Sequence, residues 1–363
     1  MEQLTTGTQA LTYGVELDRH RAGEAESRIQ NVLKCGIEET RITHQSCSLL
    51  FLNPPYDEAT LEEEAHSKTE RQEKAFLRMT APDLVPGGVL VYDVRPATSS
   101  GADARPLVMV GHPMAAAGFA DLAARFPDRT VVTYDPRGCE RSEVADAEHT
   151  PRTNADDVHL VIQAVGGGPV DVFGSSGGAV TGLELVASHP GDVTTLVAHE
   201  PPILGVLPDA ELAARAYRQI TDTYHQSGFG AAMARFIVFT SVSGEIPRDF
   251  LRQPAPDPAA FGLPTGDDGT RDNVLLSGVS DGVVAYQVRP EVLNQAPARI
   301  VVAAGEESRT QMPGRAAAEV AGLLGSELVI FPSHHGGFVG GAGPYAGQPD
   351  AFAARLREVL DAG

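Results

Sequence analysis

"VDVFGSSGGAV", residues 170–180, decides the fold. Val170 to Phe173 is a short β-branched and aromatic run, and Gly174-Ser175-Ser176-Gly177-Gly178 follows it directly before an apolar, alanine-containing stretch. This is G-x-S-x-G between a strand and a helix, the turn that lifts a serine hydroxyl above the carboxyl edge of a sheet. Such a turn tolerates only small residues two before and two after its serine. Ser176 has Gly174 and Gly178 at those places, whereas Ser175 would have Phe173 and Gly177. Ser176 is therefore the candidate nucleophile.

The surroundings repeat the same alternation. "GVLVYDV", "PLVMVGH", "RTVVTYD", "TTLVAHE", "RIVVAAG" and "ELVIFPS" are short apolar runs, separated by helix-like stretches such as "AAGFADLAARF" and "GAVTGLELVASH". Continuous apolar strands alternating with helices predict a doubly wound, mostly parallel sheet covered on both faces. In such sheets chemistry sits at the carboxyl ends of the strands. Residues 201 to about 297 are too long for a simple connection. Their segments "AELAARAYRQITDTYH" and "FGAAMARFIVFTSV" have helical periodicity, so a helical cap is expected there. Tyr217, Tyr224, Met233, Phe236 and Phe239 are candidates for its pocket wall or its core.

A serine needs a base and an acid to orient it. The last apolar run leads into His334-His335-Gly336-Gly337-Phe338, and His335, with two glycines after it, is the candidate base. His149, His159, His189 and His225 read as structural. The common place for the acid, after "RIVVAAG", is occupied by Ser308. Two repairs are open: Glu200, which ends "LVAHE" and is stiffened by Pro201-Pro202, or the pair Glu306 and Glu307. Glu200 is preferred. An oxyanion needs two backbone N–H donors. Gly177 offers one at a helix N-terminus, and Met114 the other, since Pro113 in "GHPM" has no N–H. "YDPRG", residues 134–138, reads as a structural turn.

Taken together, residues from about 80 to 363 resemble the α/β-hydrolase superfamily. The resemblance implies a serine hydrolase acting on a small ester, lactone or related acyl substrate through an acyl-enzyme, with no cofactor and no metal. An acid on the strand after the elbow is similar to the arrangement in a subgroup of haloalkane dehalogenases. Those use an aspartate nucleophile, so Ser176 implies acyl chemistry instead. A fold kept as a non-catalytic binding module is the alternative that Ser308 raises.

The first 78 residues read differently. All three lysines lie there (Lys34, Lys68, Lys74), and the seam is placed near Met79. "LTYGVELD" is a strand ending in Glu16, and "SLLFLNPPY" a later strand ending in Asn53-Pro54-Pro55-Tyr56. An acid at a strand end can hold ribose hydroxyls, Asn53 can accept from a target amine, and Tyr56 can stack on a flipped base. The segment resembles class I S-adenosylmethionine-dependent amino-methyltransferases of the NPPY type. It has no glycine-rich loop ahead of Glu16, so a truncated methyltransferase-like piece is expected. Methylation of a nucleic-acid amine is the alternative function.

The bulk numbers narrow the partners. A net charge of −20 repels phosphate backbones, so no nucleic-acid partner is expected. Cys35, Cys47 and Cys139 have no metal-like spacing and read as reduced thiols. With no signal peptide and no long apolar run, a cytoplasmic chain with a small-molecule substrate and no membrane partner is expected.

Overall fold

The computed structural model describes residues 90–98, 104–142, 149–342 and 346–362, together with four short strands nearer the N-terminus. Of those four, Tyr13–Val15 pairs in parallel with Asn31–Leu33, and Glu58–Ala59 antiparallel with Glu70–Arg71. Tyr13–Val15 lies in the stretch expected as a strand, while Glu16, Asn53 and Tyr56 lie outside the described residues.

Val91–Glu140 and Glu148–Gly363 form a separate compact unit built on seven strands. They are β1 (Tyr92–Arg95), β2 (Leu107–Val110), β3 (Val131–Tyr134), β4 (Val170–Ser175), β5 (Val193–His199), β6 (Arg299–Gly305) and β7 (Val329–Phe331). Their order across the sheet is β7-β6-β5-β4-β2-β3-β1. Every pairing is parallel except β1 with β3.

Parallel neighbours need crossovers, and the alanine-rich stretches supply them. The principal helices are α1 (Pro151–Ala164), α2 (Gly177–Ser188), α3 (Ala210–Thr240), α4 (Met312–Leu323) and α5 (Pro349–Asp361). Helix α1 starts where the sequence signals it: Thr150 Oγ accepts from Thr153 N at 3.1 Å, and Pro151 occupies the first turn, where a missing N–H is harmless.

The sheet is buried on both faces, which explains its unbroken apolar strands. Val108, Val110, Val170 and Val172 face a core with residues of α1, α2 and α4. Leu107, Met109 and Phe173 point the other way, toward Phe119, Phe126 and the Phe352 and Leu356 of α5. A third cluster, around Tyr224, Phe239 and Leu276, lies in the long insertion between β5 and β6. There α3 is broken at Gly228, whose φ of +79° favours glycine, so the two expected helical segments are two arms of one bent stretch. A Cβ at Gly228 would also lie 2.4 Å from the Asp267 carboxylate. No helix among the described residues is long and apolar enough to cross a membrane.

Candidate active site

Strand β4 ends at Ser175 and α2 begins at Gly177, leaving Ser176 alone in the turn with φ +57° and ψ −126°. A non-glycine residue there is strained, and strain of this kind collects where a side chain must be presented. The glycines around it let backbones approach. A Cβ at Gly178 would lie 2.0 Å from Val110 O, at Gly177 2.5 Å from His112 O, and at Gly174 2.5 Å from Gly178 O. Ser176 N donates to His199 O at 2.9 Å, tying the turn to β5. Ser175, by contrast, is buried, with Oγ 3.5 Å from His199 Nδ1.

Glu200 follows β5 with φ +51° and no solvent exposure. Each of its carboxylate oxygens is taken. Oε2 lies 2.5 Å from Nδ1 of His335. Oε1 accepts from Gly305 N at 2.9 Å and from Ser308 Oγ at 2.5 Å. Burial would raise the pKa of this carboxyl. The His335 hydrogen bond, the charges of His335 and His199, and the Ser308 hydroxyl outweigh that and lower it to about 2. Ser308, at the position where an acid was expected, thus donates to Glu200. Glu306 and Glu307, the alternatives, are exposed, and the hydrogen bond to His335 is made by Glu200. Their backbone N–H groups bond Phe331 O and Ser333 O.

Ser176, Gly177 and His335 line one cavity of about 140 Å³. His112, Pro113 and Pro202 complete its floor, and Tyr217, Phe236, Thr240, Leu275 and Ser280 contribute from the insertion. Of the five insertion residues singled out in the sequence, Tyr217 and Phe236 reach this wall. Tyr224 and Phe239 are fully buried in the third cluster, with Met233 packed against it. Met114 is not among the lining residues; its side chain packs beside Gly118 and against the Phe119 cluster.

Two histidines here were not read from the sequence. His112 is buried, with Nε2 2.9 Å from Ser280 Oγ and Nδ1 3.5 Å from Asn154 Nδ2. Since Asn154 Nδ2 can only donate, Nδ1 accepts and Nε2–H donates to Ser280. Burial, with His149 and Arg137 adding to it, lowers the His112 pKa to about 4. His199 is fully buried, and burial pulls it to about 4 against the opposing charge of Glu200. Its Nε2 has no hydrogen-bond partner among the described residues. The "GHPM" turn was the available signal for His112, but Ser280 lies 168 positions away and no local pattern announces that contact. "YDPRG" is structural as expected: Arg137 forms a buried two-point ion pair with Asp157.

With this geometry in view, the likenesses to known proteins take on meaning. A family model described as the alpha/beta hydrolase fold matches residues 106–251, and one described as an uncharacterised methyltransferase family matches residues 1–105. The second match takes in β1, which is paired into the hydrolase sheet. An uncharacterized hydrolase, YraK, of Bacillus subtilis (strain 168) is 29% identical over 285 residues, covering 76% of this chain and 94% of that protein. An esterase from Exiguobacterium antarcticum superposes with a TM-score of 0.53 at 16% identity, over 76% of this chain and 96% of its own. The enol-lactonase from Burkholderia xenovorans LB400 gives 0.51 at 16% identity, over 76% and 97%. Sheet order, elbow and family match make the larger part of this chain an α/β-hydrolase enzyme, and its N-terminal part resembles a methyltransferase family.

Proposed function

We propose that the chain is a serine hydrolase for small, neutral esters or lactones. The observation that carries this is the 2.5 Å bond to the buried Glu200 from His335, which lines the same cavity as the strained Ser176. In this reading Ser176 Oγ attacks the substrate carbonyl while His335 Nε2 takes its proton. Glu200 holds Nδ1–H, fixing the tautomer and stabilising the imidazolium. The N–H groups of Gly177, at the start of α2, and of Met114 receive the oxyanion. Collapse breaks the acyl–oxygen bond, and the imidazolium returns its proton to the leaving alkoxide. Water, deprotonated by His335, then attacks the acyl-enzyme and releases the acid.

The cavity supports the substrate class. An apolar cavity of roughly 150 Å³ holds a molecule the size of benzene, so a cavity of about 140 Å³ suits a short acyl group. Its lining contains no Lys, Arg, Asp or Glu, which favours an uncharged substrate. The esterase and lactonase likenesses agree with acyl chemistry. The reading takes the hydrolase to begin near Met79, with residues 201 to about 297 as its cap, and it asks for no cofactor. It also keeps the enzyme in the cytoplasm without nucleic-acid or membrane partners. Turnover of p-nitrophenyl acetate and butyrate by the protein and by Ser176→Ala tests it. Turnover equal to the buffer rate in both would leave a binding module.

The match over residues 1–105 favours a second reading for that segment alone: binding of S-adenosylmethionine, with Glu16 on the ribose and Asn53 and Tyr56 at the target amine. Calorimetry with S-adenosylmethionine tests it, and absence of heat at millimolar ligand removes it.

A further inference from the structure

Away from the cavity, α1 and the turn between α2 and β5 each present an aspartate and a histidine three residues apart. On α1 they are Asp156 and His159; in the turn they are His189 and Asp192. The pairs are crossed. His159 Nδ1 lies 2.6 Å from Asp192 Oδ2, and His189 Nε2 lies 2.7 Å from Asp156 Oδ1. The two imidazoles stack, with centroids 4.1 Å apart and planes at 10°. One donor atom each from His159, His189 and Asp192 lies within 4.8 Å of the others.

The frame is rigid. Asp192 N donates to His189 O at 3.0 Å, and Asp192 O accepts from Val170 N at 2.8 Å. Gly168 packs so closely that a Cβ there would lie 2.8 Å from Asp192 Cα. His189 N is bonded to Leu185 O at the end of α2. His159 and His189 remain partly exposed at the side chain, 31% and 20%, so a solute ion can reach them while Asp192 is largely covered.

The geometry points to a binding site for a borderline divalent transition ion such as Zn²⁺, held by His159, His189 and Asp192, with Asp156 beside His189. Imidazole nitrogen with carboxylate oxygen is a donor set for ions of this class and not for Mg²⁺ or Ca²⁺. Two carboxylates set against Arg152, which is 3.0 Å from Asp156, leave the cluster a net negative charge when both rings are neutral. A cation takes the lone pair of the ring nitrogen that faces the carboxylate, and a neutral ring then carries its proton on the other nitrogen. Tetrahedral zinc bonds of about 2.0 to 2.2 Å put two donors roughly 3.3 to 3.6 Å apart, so the His159–Asp192 separation of 2.6 Å must open by about 0.7 to 1 Å on binding. Ser176 and His189 flank the two ends of α2, about 20 Å apart along the helix axis. The ion is accordingly structural: it pins α1 to the α2–β5 turn at the end of the sheet opposite the cavity.

The test uses the full chain, stripped with a chelator and titrated with Zn²⁺ by calorimetry and equilibrium dialysis, beside His159→Ala/His189→Ala. The expected result is one more tightly bound Zn²⁺ per chain in the parent than in the variant. Zn²⁺ should raise the melting temperature of the parent alone. Asp192→Asn should weaken binding without abolishing the fold. Ester turnover and circular dichroism of the double variant should match the metal-free parent, which separates a lost ion from a lost fold. Equal Zn²⁺ uptake and equal thermal response in parent and double variant would overturn the proposal.

Discussion

Glu200→Gln is the substitution whose consequence follows most fully from the structure. Glutamine has the same shape, so its carbonyl can still accept from Gly305 N and Ser308 Oγ, as Oε1 does now. Its amide would then face Nδ1 of His335, where Oε2 stands at 2.5 Å. An N–H facing an N–H is repulsive, so the ring turns to the tautomer that accepts at Nδ1 and carries its proton on Nε2. That tautomer cannot take a proton from Ser176. The Glu200 carboxyl, held at about 2 against an ordinary 4.5, reports carboxylate stabilisation of about 3 kcal/mol. An amide in place of a triad aspartate costs about 10⁴-fold in the serine-protease example, so kcat should fall here by about 10³- to 10⁴-fold, or about 4 to 5.5 kcal/mol.

KM should stay nearly constant, because Glu200 is fully buried and is not among the cavity-lining residues. Glu306→Gln and Glu307→Gln, both at exposed positions, should behave as the parent. Adding Ser308→Asp to Glu200→Gln returns a carboxylate to a site whose Oγ is now 2.5 Å from Oε1, and should recover part of the lost rate. The assay is p-nitrophenyl butyrate turnover with circular dichroism as the control for folding. A folded Glu200→Gln enzyme keeping more than about a tenth of the parent kcat would refute the reasoning.

Other consequences can be checked independently. His112 and His199, pulled to about 4, bind a proton in the unfolded chain before they do in the folded one. Their contribution to stability is thus present above pH 6.5 and lost as pH falls toward 4, at about 2 kcal/mol each between pH 7 and 5. Glu200 adds a further loss below pH 4.5; urea midpoints measured from pH 7 to 3 should fall across both windows, and a flat profile down to pH 5 would contradict the buried histidines. Gly178→Ala places a methyl 2.0 Å from Val110 O, so it should lower the melting temperature and abolish turnover together. Phe236→Ala enlarges the cavity wall and should shift the ratio of hexanoate to acetate turnover by about tenfold toward the longer acyl chain.

The parts legible in sequence are those with local signatures. The elbow announced itself because its glycines stand at fixed places around Ser176, even though Val110 and His112, which crowd two of them, come from another part of the chain. The strands did so because a sheet covered on both faces needs continuous apolar runs. The acid was legible only as a choice. Glu200 and the Glu306–Glu307 pair both end strands, and the contact that sets Glu200 apart, with His335, spans 135 positions of chain and has no local signature. His112 and His199 escaped notice because their roles rest on contacts across the chain, such as His112 with Ser280. The crossed pairs Asp156–His189 and His159–Asp192 escaped for the same reason: each half is an ordinary polar pair on its own segment. Met114 marks the opposite limit. Its place in the sequence suggested a backbone donor, while its side chain serves the Phe119 core.

The serine itself can be asked directly. A fluorophosphonate reacts only with a hydroxyl made nucleophilic by its neighbours, and peptide mapping by mass spectrometry locates the adduct. One adduct per chain on Ser176, absent from Ser176→Ala and retained in Ser175→Ala, is the expected result. No adduct on a folded protein, or an adduct on Ser175, would contradict a hydrolase built on Ser176, His335 and Glu200.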